Sequence, residues 1–285
     1  VTTRDKEPTA GRLFVVSTPI GNLGDITYRA VEVLRSVDAI LAEDTRHART
    51  LLDRYEVRVP TIAYHEHNEA KSVPRLLARL AAGERLALIS DAGTPLLSDP
   101  GARLVRAAVE AGIPVEPIPG ASALLAALVA AGLSGADGRW TFYGFLPRRA
   151  GERRSALAEI VVSQYLTIMY EAPTRVADLL ADLVEAGAGD RRAAVARELT
   201  KQFEEIRRGT VGELAAYYAG GAPRGEVVVL LEGAVTLEPD EAVLRERVRA
   251  LRAQGVSARD IVRTLTESEG APRNVAYRLA HEEGS

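Results

Sequence analysis

Short apolar runs alternate along the chain with stretches where apolar residues recur every third or fourth position. The two periods predict alternating strands and helices. Leu13–Ser17, Ala39–Ala42, Thr61–Tyr64, Leu86–Ile89 and Val115–Ile118 read as strands. Between them, Ile26, Ala30, Val33, Leu34 and Val37 make one helical face with Asp25 as its cap, and Ala70–Ala82 and Ala102–Ala111 read as further helices. Strands joined through helices predict a mainly parallel sheet. The loop Pro119–Ser122 then opens an apolar helix, Ala123–Ala131, and a second series starts after the break Gly132–Gly138. Its strands are Thr141–Gly144, Leu166–Tyr170, Ala193–Glu198, Phe203–Arg208 and Val227–Leu231, and its helices Arg154–Val162, Thr174–Ala186 and Val211–Tyr218. The short link between 193–198 and 203–208 predicts a more antiparallel sheet. Past a linker, Gly233–Pro239, come a helix at Glu241–Arg252, a capping box at Ser257–Asp260, a stop at Gly270 and a start at Pro272. That unit is either helix-turn-helix-like or a small helical cap. The fold class is therefore α/β: an N-terminal α/β domain over 12–122, a second over 123–236, and a C-terminal helical unit over 240–285. The polar segment 1–11 reads as a disordered lead-in.

The loops after these strands carry the polar chemistry. Leu86–Ile89 runs into a loop holding Asp91, Gly93, Thr94, Pro95, Asp99, Pro100 and Gly101, with a helix following from Ala102. The carboxyl end of a parallel strand above a helix start is where an α/β protein seats a ligand; an ordinary tight turn has the same spacing. The loop Ser17–Asp25 lacks both the GxGxxG of a dinucleotide fold and the GKS/T of a P-loop, so neither nucleotide reading is favoured. Glu43-Asp44-Thr45-Arg46 suits substrate positioning or a helix cap with a local ion pair. His65-Glu66-His67-Asn68 is not HExxH and has no obvious third ligand, so a polar loop facing substrate is preferred to a metal site. Arg197-Glu198-Leu199-Thr200-Lys201 ends a strand, with Glu204 in reach. Lys occurs only at Lys6, Lys71 and Lys201 in this Arg-rich chain, so Lys201 reads as kept for its ammonium, or else as part of a salt-bridged hairpin.

Composition narrows the classes. Hydrophobic residues make up 47% and charged residues 26% of 285 residues, as in an ordinary globular chain. Cys is absent, which removes thiol chemistry and disulfides and fits a reducing cytosol. No apolar run approaches the roughly 18 residues of a membrane span. With a net charge of −3, any nucleic-acid binding must use local patches, such as Arg148, Arg149, Arg153 and Arg154, or Arg245, Arg247, Arg249 and Arg252; each run is equally readable as a solvated face.

The ordered segments STPIGNLGDIT, EDTR, SDAGTPLLSDPG, PGASA, FYGFLPRR, YEAPTR, RELTKQFEE and GEVVVLLEG resemble the ribosomal RNA small-subunit 2′-O-ribose methyltransferase I family, a branch of the tetrapyrrole-methylase fold. The likeness spans about residues 12–283, with one departure: Ala121-Ser122 follows Gly120, where relatives often carry Pro and Cys or Ser. It implies S-adenosylmethionine-dependent methylation of a cytidine ribose in the decoding region of 16S rRNA, two α/β domains around a cofactor cleft, a homodimer, the 30S ribosomal subunit as partner, and a cytoplasmic location. By motif it puts the cofactor against Pro19, Ile20 and Gly21, against Asp91, Ala92, Gly93 and Thr94, and against Ser122. From the second half it adds Tyr170, Glu171 and Ala172, with Leu199 and Thr200. Lys201, Glu198 and Glu43 are the catalytic candidates, Arg46, Arg148, Arg149 and Arg197 the RNA-binding ones, and no metal is required. Two alternatives stay open: a tetrapyrrole acceptor on the same fold, and a ligand-sensing DNA-binding regulator built on the C-terminal unit. A nucleotide-triphosphate enzyme is a further reading, weakened by the missing P-loop Lys.

Overall fold

The computed structural model describes residues 11–235 and 240–282. The lead-in therefore lies outside the described residues except for Gly11, as does the linker at 236–239. The chain divides into two compact units, Val1–Ala234 and Val235–Ser285.

The first unit holds two five-stranded sheets. One is built from β1 (Arg12–Val16), β2 (Ala39–Ala42), β3 (Thr61–Ala63), β4 (Arg85–Ile89) and β5 (Val115–Ile118). Its order is β3-β2-β4-β1-β5 and every pairing is parallel. Helices cover both faces, which is why the strands are apolar at consecutive positions. Phe14, Val16, Ile40, Ala87 and Ile89 pack with Ala30, Val33 and Leu34 on one side. Leu13, Leu41, Leu86 and Leu88 pack with Leu76, Leu80 and Leu104 on the other. With all strands parallel, the loops leaving β1, β2, β4 and β5 gather along one edge.

The second sheet comprises β6 (Trp140–Phe145), β7 (Leu166–Glu171), β8 (Arg192–Arg197), β9 (Glu205–Thr210) and β10 (Val227–Leu231). Its order is β6-β7-β10-β8-β9. Only β6 and β7 run parallel; the other neighbours are antiparallel, as the short β8–β9 link predicts. β10 inserts between β7 and β8 with Val227 opposite both Glu171 and Arg197. This register puts the start of β10 beside the ends of its two neighbours. The helix Ala123–Ala131 packs on this sheet through Leu124, Ala127 and Ala131, where Ile20, from the loop after β1, joins the same cluster.

Several local expectations change. Thr27, not Asp25, caps the first helix, Tyr28–Ser36: its Oγ1 accepts from the Ala30 N–H at 3.1 Å. Asp25 instead closes a short 3-10 turn capped by Asn22. Of the two readings of Glu43–Arg46 the helix cap holds locally: Asp44 caps the helix Thr45–Arg54, accepting from Arg46 N–H at 2.8 Å. His65–Asn68 is not a loop but the start of the helix Glu66–Ala81, because Asn68 Oδ1 takes the His65 N–H at 3.0 Å and folds the chain into a first turn. The stretch 174–186 breaks into a 3-10 turn at Pro173–Arg175, an α-helix at Val176–Leu183 and a π turn at Val184–Ala188, where Gly187 adopts φ +92°. β9 starts two residues later than predicted, since 198–204 form a tight loop.

The second unit is three helices, Glu241–Ala253, Ala258–Glu267 and Arg273–Glu282, closed around Leu244, Val248, Leu251, Ile261, Leu265 and Leu279. Ser257 caps the middle helix, accepting from Asp260 N–H at 3.2 Å, while the Asp260 carboxylate takes the Ser257 hydroxyl at 2.7 Å rather than completing a capping box. Among the described residues no helix is long and apolar enough to cross a membrane.

Gly101 starts the helix Ala102–Glu110 at φ +135°, and an added Cβ would lie 2.6 Å from Leu88 Cδ2 in the core. Gly112 has φ +70° but open space around it. Gly101→Ala should therefore cost about 2–4 kcal/mol, combining backbone strain with overpacking. Gly112→Ala should cost only about 1 kcal/mol from the backbone alone. Urea unfolding of the two variants checks the order, and equal losses would contradict it.

Candidate active site

The loops at the carboxyl edge of the first sheet meet the ends of β7 and β8 and the start of β10 around a cleft of about 430 Å³. Two backbone hydrogen bonds knit the first two loops together: Thr18 N–H donates to Gly93 O at 2.8 Å and Gly93 N–H to Thr18 O at 3.1 Å. Thr94 then ties that pair to the loop after β5. Its hydroxyl pairs with that of Ser17 at 3.0 Å and donates to Ala121 O at 3.1 Å. Gly93 is required here because its φ is +79° and a Cβ would sit 3.1 Å from Ile20. The Asp91 carboxylate accepts from Asp44 N–H at 3.1 Å, drawing in the loop after β2 with Glu43.

From the second half, Tyr170, Glu171 and Ala172 reach the cleft at the end of β7, Leu199 after β8, and Gly225 and Glu226 before β10. The Glu171 side chain is fully buried, held by Arg175 at 3.4 Å and Arg153 at 3.5 Å. Tyr170 stands edge-on to Phe142 and Phe145, with ring centroids 4.9 and 5.7 Å away. Glu198 and Thr200 are non-glycine residues in the left-handed region, at φ +51° and +67°. Strain of this kind persists where the surroundings over-determine the backbone. Here Glu198 N–H donates to Glu226 O at 3.0 Å, Thr200 N–H to Glu204 Oε2 at 2.6 Å, and Asn22 N–H to Thr200 Oγ1 at 3.1 Å.

Lys201 bridges Glu198 at 2.9 Å and Glu226 at 2.8 Å. Burial pulls its ammonium down, but the two carboxylates outweigh that and leave it above its ordinary value. The Lys201 hydrogen bond draws Glu198 below the usual carboxylate range. Lys201 also faces a neighbouring hollow of about 410 Å³ bordered by Pro19, Gly21 and His47, which meets the cleft at Ile20, Asp91, Ala92 and Glu226. Gly21 packs directly under the Lys201 stem, where a Cβ would fall 2.4 Å from Cγ.

The cleft itself is acidic. Glu43, Asp91, Asp99, Glu171 and Glu226 line it, and no Lys, Arg or His is among its described lining residues. Glu171 is neutralised by its two arginines and Glu226 is paired with Lys201; Glu43, Asp91 and Asp99 repel one another. Burial first, and then Asp91, raise Glu43. Burial, together with Glu43, Asp91 and Glu226, pushes Asp99 up to about 6 against a hydrogen bond from Ser90. Asp99 is aimed by an unusual loop, with Leu96 and Ser98 both at φ +72° before Gly101.

The cofactor residues expected from the sequence thus split between two adjoining hollows. Ile20, Asp91–Thr94, Ser122, Tyr170–Ala172 and Leu199 line the cleft, whereas Pro19 and Gly21 face the second hollow, and Thr200 braces the loop between. Of the arginines, Arg46, at 94% side-chain exposure, and Arg149 lie at the surface, as does Arg148. Arg197 is paired with Glu205 at 2.8 Å. Arg153 turns inward to Asp182 at 2.7 Å as well as to Glu171, so it leaves the predicted patch. In the second unit Arg245 pairs with Glu241 and Glu282, Arg247 with Glu269, and Arg252 with Ala280 O. Glu226 and Gly225 were not among the expected site residues, and Asp99, noted in the loop after Leu86–Ile89, was given no role of its own by the sequence. The acidic residue immediately before the apolar run Val227–Leu231 was the available signal for Glu226. Among the described residues no His, Cys, Asp and Glu cluster suits a metal.

The site fits S-adenosylmethionine on its own chemistry. Ser122, 8% exposed, has its Oγ buried and without a partner in the cleft wall. Ile20, Leu97, Phe145 and Val228 supply apolar surface for a flat heterocycle. The uncompensated carboxylates suit a ligand that carries a sulfonium and an ammonium.

Comparison with known proteins agrees. Residues 12–215 match the family described as tetrapyrrole (corrin/porphyrin) methylases. The chain is 44% identical to the ribosomal RNA small subunit methyltransferase I of Synechocystis sp., covering 95% of this chain and 98% of that one. It is 46% identical to the protein of the same name from Pseudomonas aeruginosa, covering 95% and 97%. The fold is similar to that of the uroporphyrin-III C-methyltransferase of Thermus thermophilus complexed with S-adenyl homocysteine, with a TM-score of 0.55, 19% identity, and 78% and 97% of the two chains covered.

Because its carboxyl is raised in the folded protein, Asp99 contributes its full stability below the ordinary carboxylate range and loses it as pH climbs through about 6. Asp99→Asn in the ligand-free protein should match wild type at pH 4 and be more stable at pH 8 by about 1 kcal/mol, after discounting for solvent screening. Thermal melts across that range check it; a variant less stable at pH 8 would contradict the reading.

Proposed function

The chain belongs to the ribosomal RNA small subunit methyltransferase I family, within the tetrapyrrole methylases, and from that premise we propose that it methylates the ribose 2′-hydroxyl of a cytidine in the decoding region of 16S rRNA. It is an S-adenosylmethionine-dependent methyltransferase acting on small-subunit rRNA. The acidic cleft beside a hollow bordered by a charged lysine carries this reading, because it separates a cationic donor from an anionic acceptor. When bound, S-adenosylmethionine supplies a methyl group already activated by its sulfonium.

The chain's own residues then bind and align. Gly93 and Thr94, the Ser122 hydroxyl, and the backbone at Tyr170–Ala172 and Leu199 would hold the cofactor. The RNA is placed at the second hollow, where Lys201 meets its phosphate or ribose oxygens and exposed Arg46, Arg148 and Arg149 extend the contact. Arg197 acts through Glu205 rather than on phosphate. Lys201, held protonated by two carboxylates, lowers the cost of the developing oxyanion instead of taking a proton. Glu198 positions Lys201. Glu43, raised by burial and by Asp91, accepts the hydroxyl proton.

The parts expected from the sequence serve this division: the loops of the first sheet build one side of the cleft and those of the second sheet the other. Pairing into a homodimer is supported by the apolar residues Leu125 and Val129 exposed on the helix Ala123–Ala131, and the substrate puts the enzyme in the cytoplasm. Relatives named for rRNA over 95% of the chain favour RNA over a tetrapyrrole acceptor, and the methyltransferase assignment displaces the non-enzymatic regulator.

Incubation of unmodified 30S subunits with labelled S-adenosylmethionine should yield one site of 2′-O-methylcytidine. Label on the base, or on a tetrapyrrole alone, would overturn the reading. Lys201→Ala should slow transfer roughly hundredfold while cofactor affinity stays within about twofold; full turnover in that variant would remove Lys201 from the mechanism.

A further inference from the structure

The carboxylates of the cleft do more than complement a bound cofactor: they distinguish it from its product. Glu43, Asp91, Asp99 and Glu226 share one lining with no Lys, Arg or His among its described residues, and Glu171, the fifth, is already paired with arginines. Lys201 reaches Glu226 but faces the adjoining hollow, and Ser90 offers Asp99 only a neutral hydroxyl. Phe145, Leu97, Val228 and Tyr170 make the rest of the wall largely apolar, which strengthens any charge interaction inside it. The cluster is joined by an independent feature, the buried Ser122 Oγ that has no protein partner in the same wall.

We propose that Asp99, with Glu43 beside it, makes this cleft selective for the sulfonium form of the cofactor over its demethylated thioether, so that methyl transfer itself weakens the hold on the product. The inference rests on the cofactor assignment above. In the transfer the carbon–sulfur bond breaks with its electron pair left on sulfur, the carbon–oxygen bond to the ribose forms, and the hydroxyl proton passes to a carboxylate. The sulfur enters as a cation and ends neutral. S-adenosylmethionine and S-adenosylhomocysteine share the adenosine and the amino-acid ends, so a preference between them reads the sulfur centre alone.

The test is calorimetric titration of the full-length protein at pH 8 with S-adenosylmethionine, S-adenosylhomocysteine and sinefungin, which carries an amine-bearing carbon in place of the methylsulfonium. Wild type should bind the two cationic ligands about tenfold more tightly than the thioether. Asp99→Asn, which keeps the shape of the side chain, should lose most of that ratio by weakening the cations about tenfold and the thioether less than twofold. Glu43→Gln should act in the same direction, which guards against a local folding effect of one variant. Equal affinities for the three ligands in wild type, or equal weakening of all three in both variants, would overturn the inference while leaving the cofactor assignment standing. Absence of binding by any of the three to wild type would overturn both.

Discussion

Glu43, Asp91 and Asp99 converge on one cleft whose described lining offers them no basic side chain, and the folded chain must hold them there against their mutual repulsion. Much of the architecture follows from that constraint. A parallel sheet gathers its loops along one edge, so the loops after β2 and β4 bring Glu43, Asp91 and Asp99 to the same side. The antiparallel insertion of β10 between β7 and β8 then delivers Glu226 from the other half, one residue before Val227, which lies opposite Glu171 and Arg197. Where a carboxylate is not wanted as a free charge, the chain neutralises it: Glu171 has Arg153 and Arg175, and Glu198 and Glu226 share Lys201.

The two halves are joined by short-range bonds rather than by a broad apolar face at the site. The Thr18–Gly93 exchange, the Thr94 link to Ser17 and Ala121, and the Asn22–Thr200 bond make a continuous frame across four loops. Ile20 contributes the apolar part by leaving the first sheet's loop to join the second sheet's cluster. This frame keeps the loops in place while Glu43, Asp91 and Asp99 face a cleft whose described lining holds no basic side chain. Stability is thereby given up at the cleft for a function that needs an incoming cation.

Much of the fold was legible in the sequence because its signals are local. The strands Ala39–Ala42, Val115–Ile118 and Val227–Leu231, and the helices Ala123–Ala131 and Val211–Tyr218, have the bounds their periodicity predicts. Helix starts were less legible: Thr27 displaced Asp25, Glu43–Arg46 was open between substrate positioning and a helix cap, and His65–Asn68 looked like loop because capping bonds, not apolar spacing, create those first turns. The site was legible where a motif sits after a strand, as at Asp91–Thr94 and Ser122. It was not legible where two distant segments meet. Glu226 becomes the second partner of Lys201 only through the β10 register, and Arg153 leaves the surface only because Glu171 and Asp182 lie beneath it. The arginine runs illustrate the same limit, since composition cannot show that Arg245 and Arg247 are already paired.

The account stands on where the methyl donor sits, and a crystal structure of the protein with sinefungin is the most direct measurement of it. The predicted result is the nucleoside in the cleft between Ile20 and Val228, a hydrogen bond to the Ser122 hydroxyl, and the amine-bearing carbon facing Asp99 and Glu43, with the hollow bordered by His47 and Lys201 left free. Ligand seated in that second hollow, or an amine turned away from the carboxylates, would contradict it.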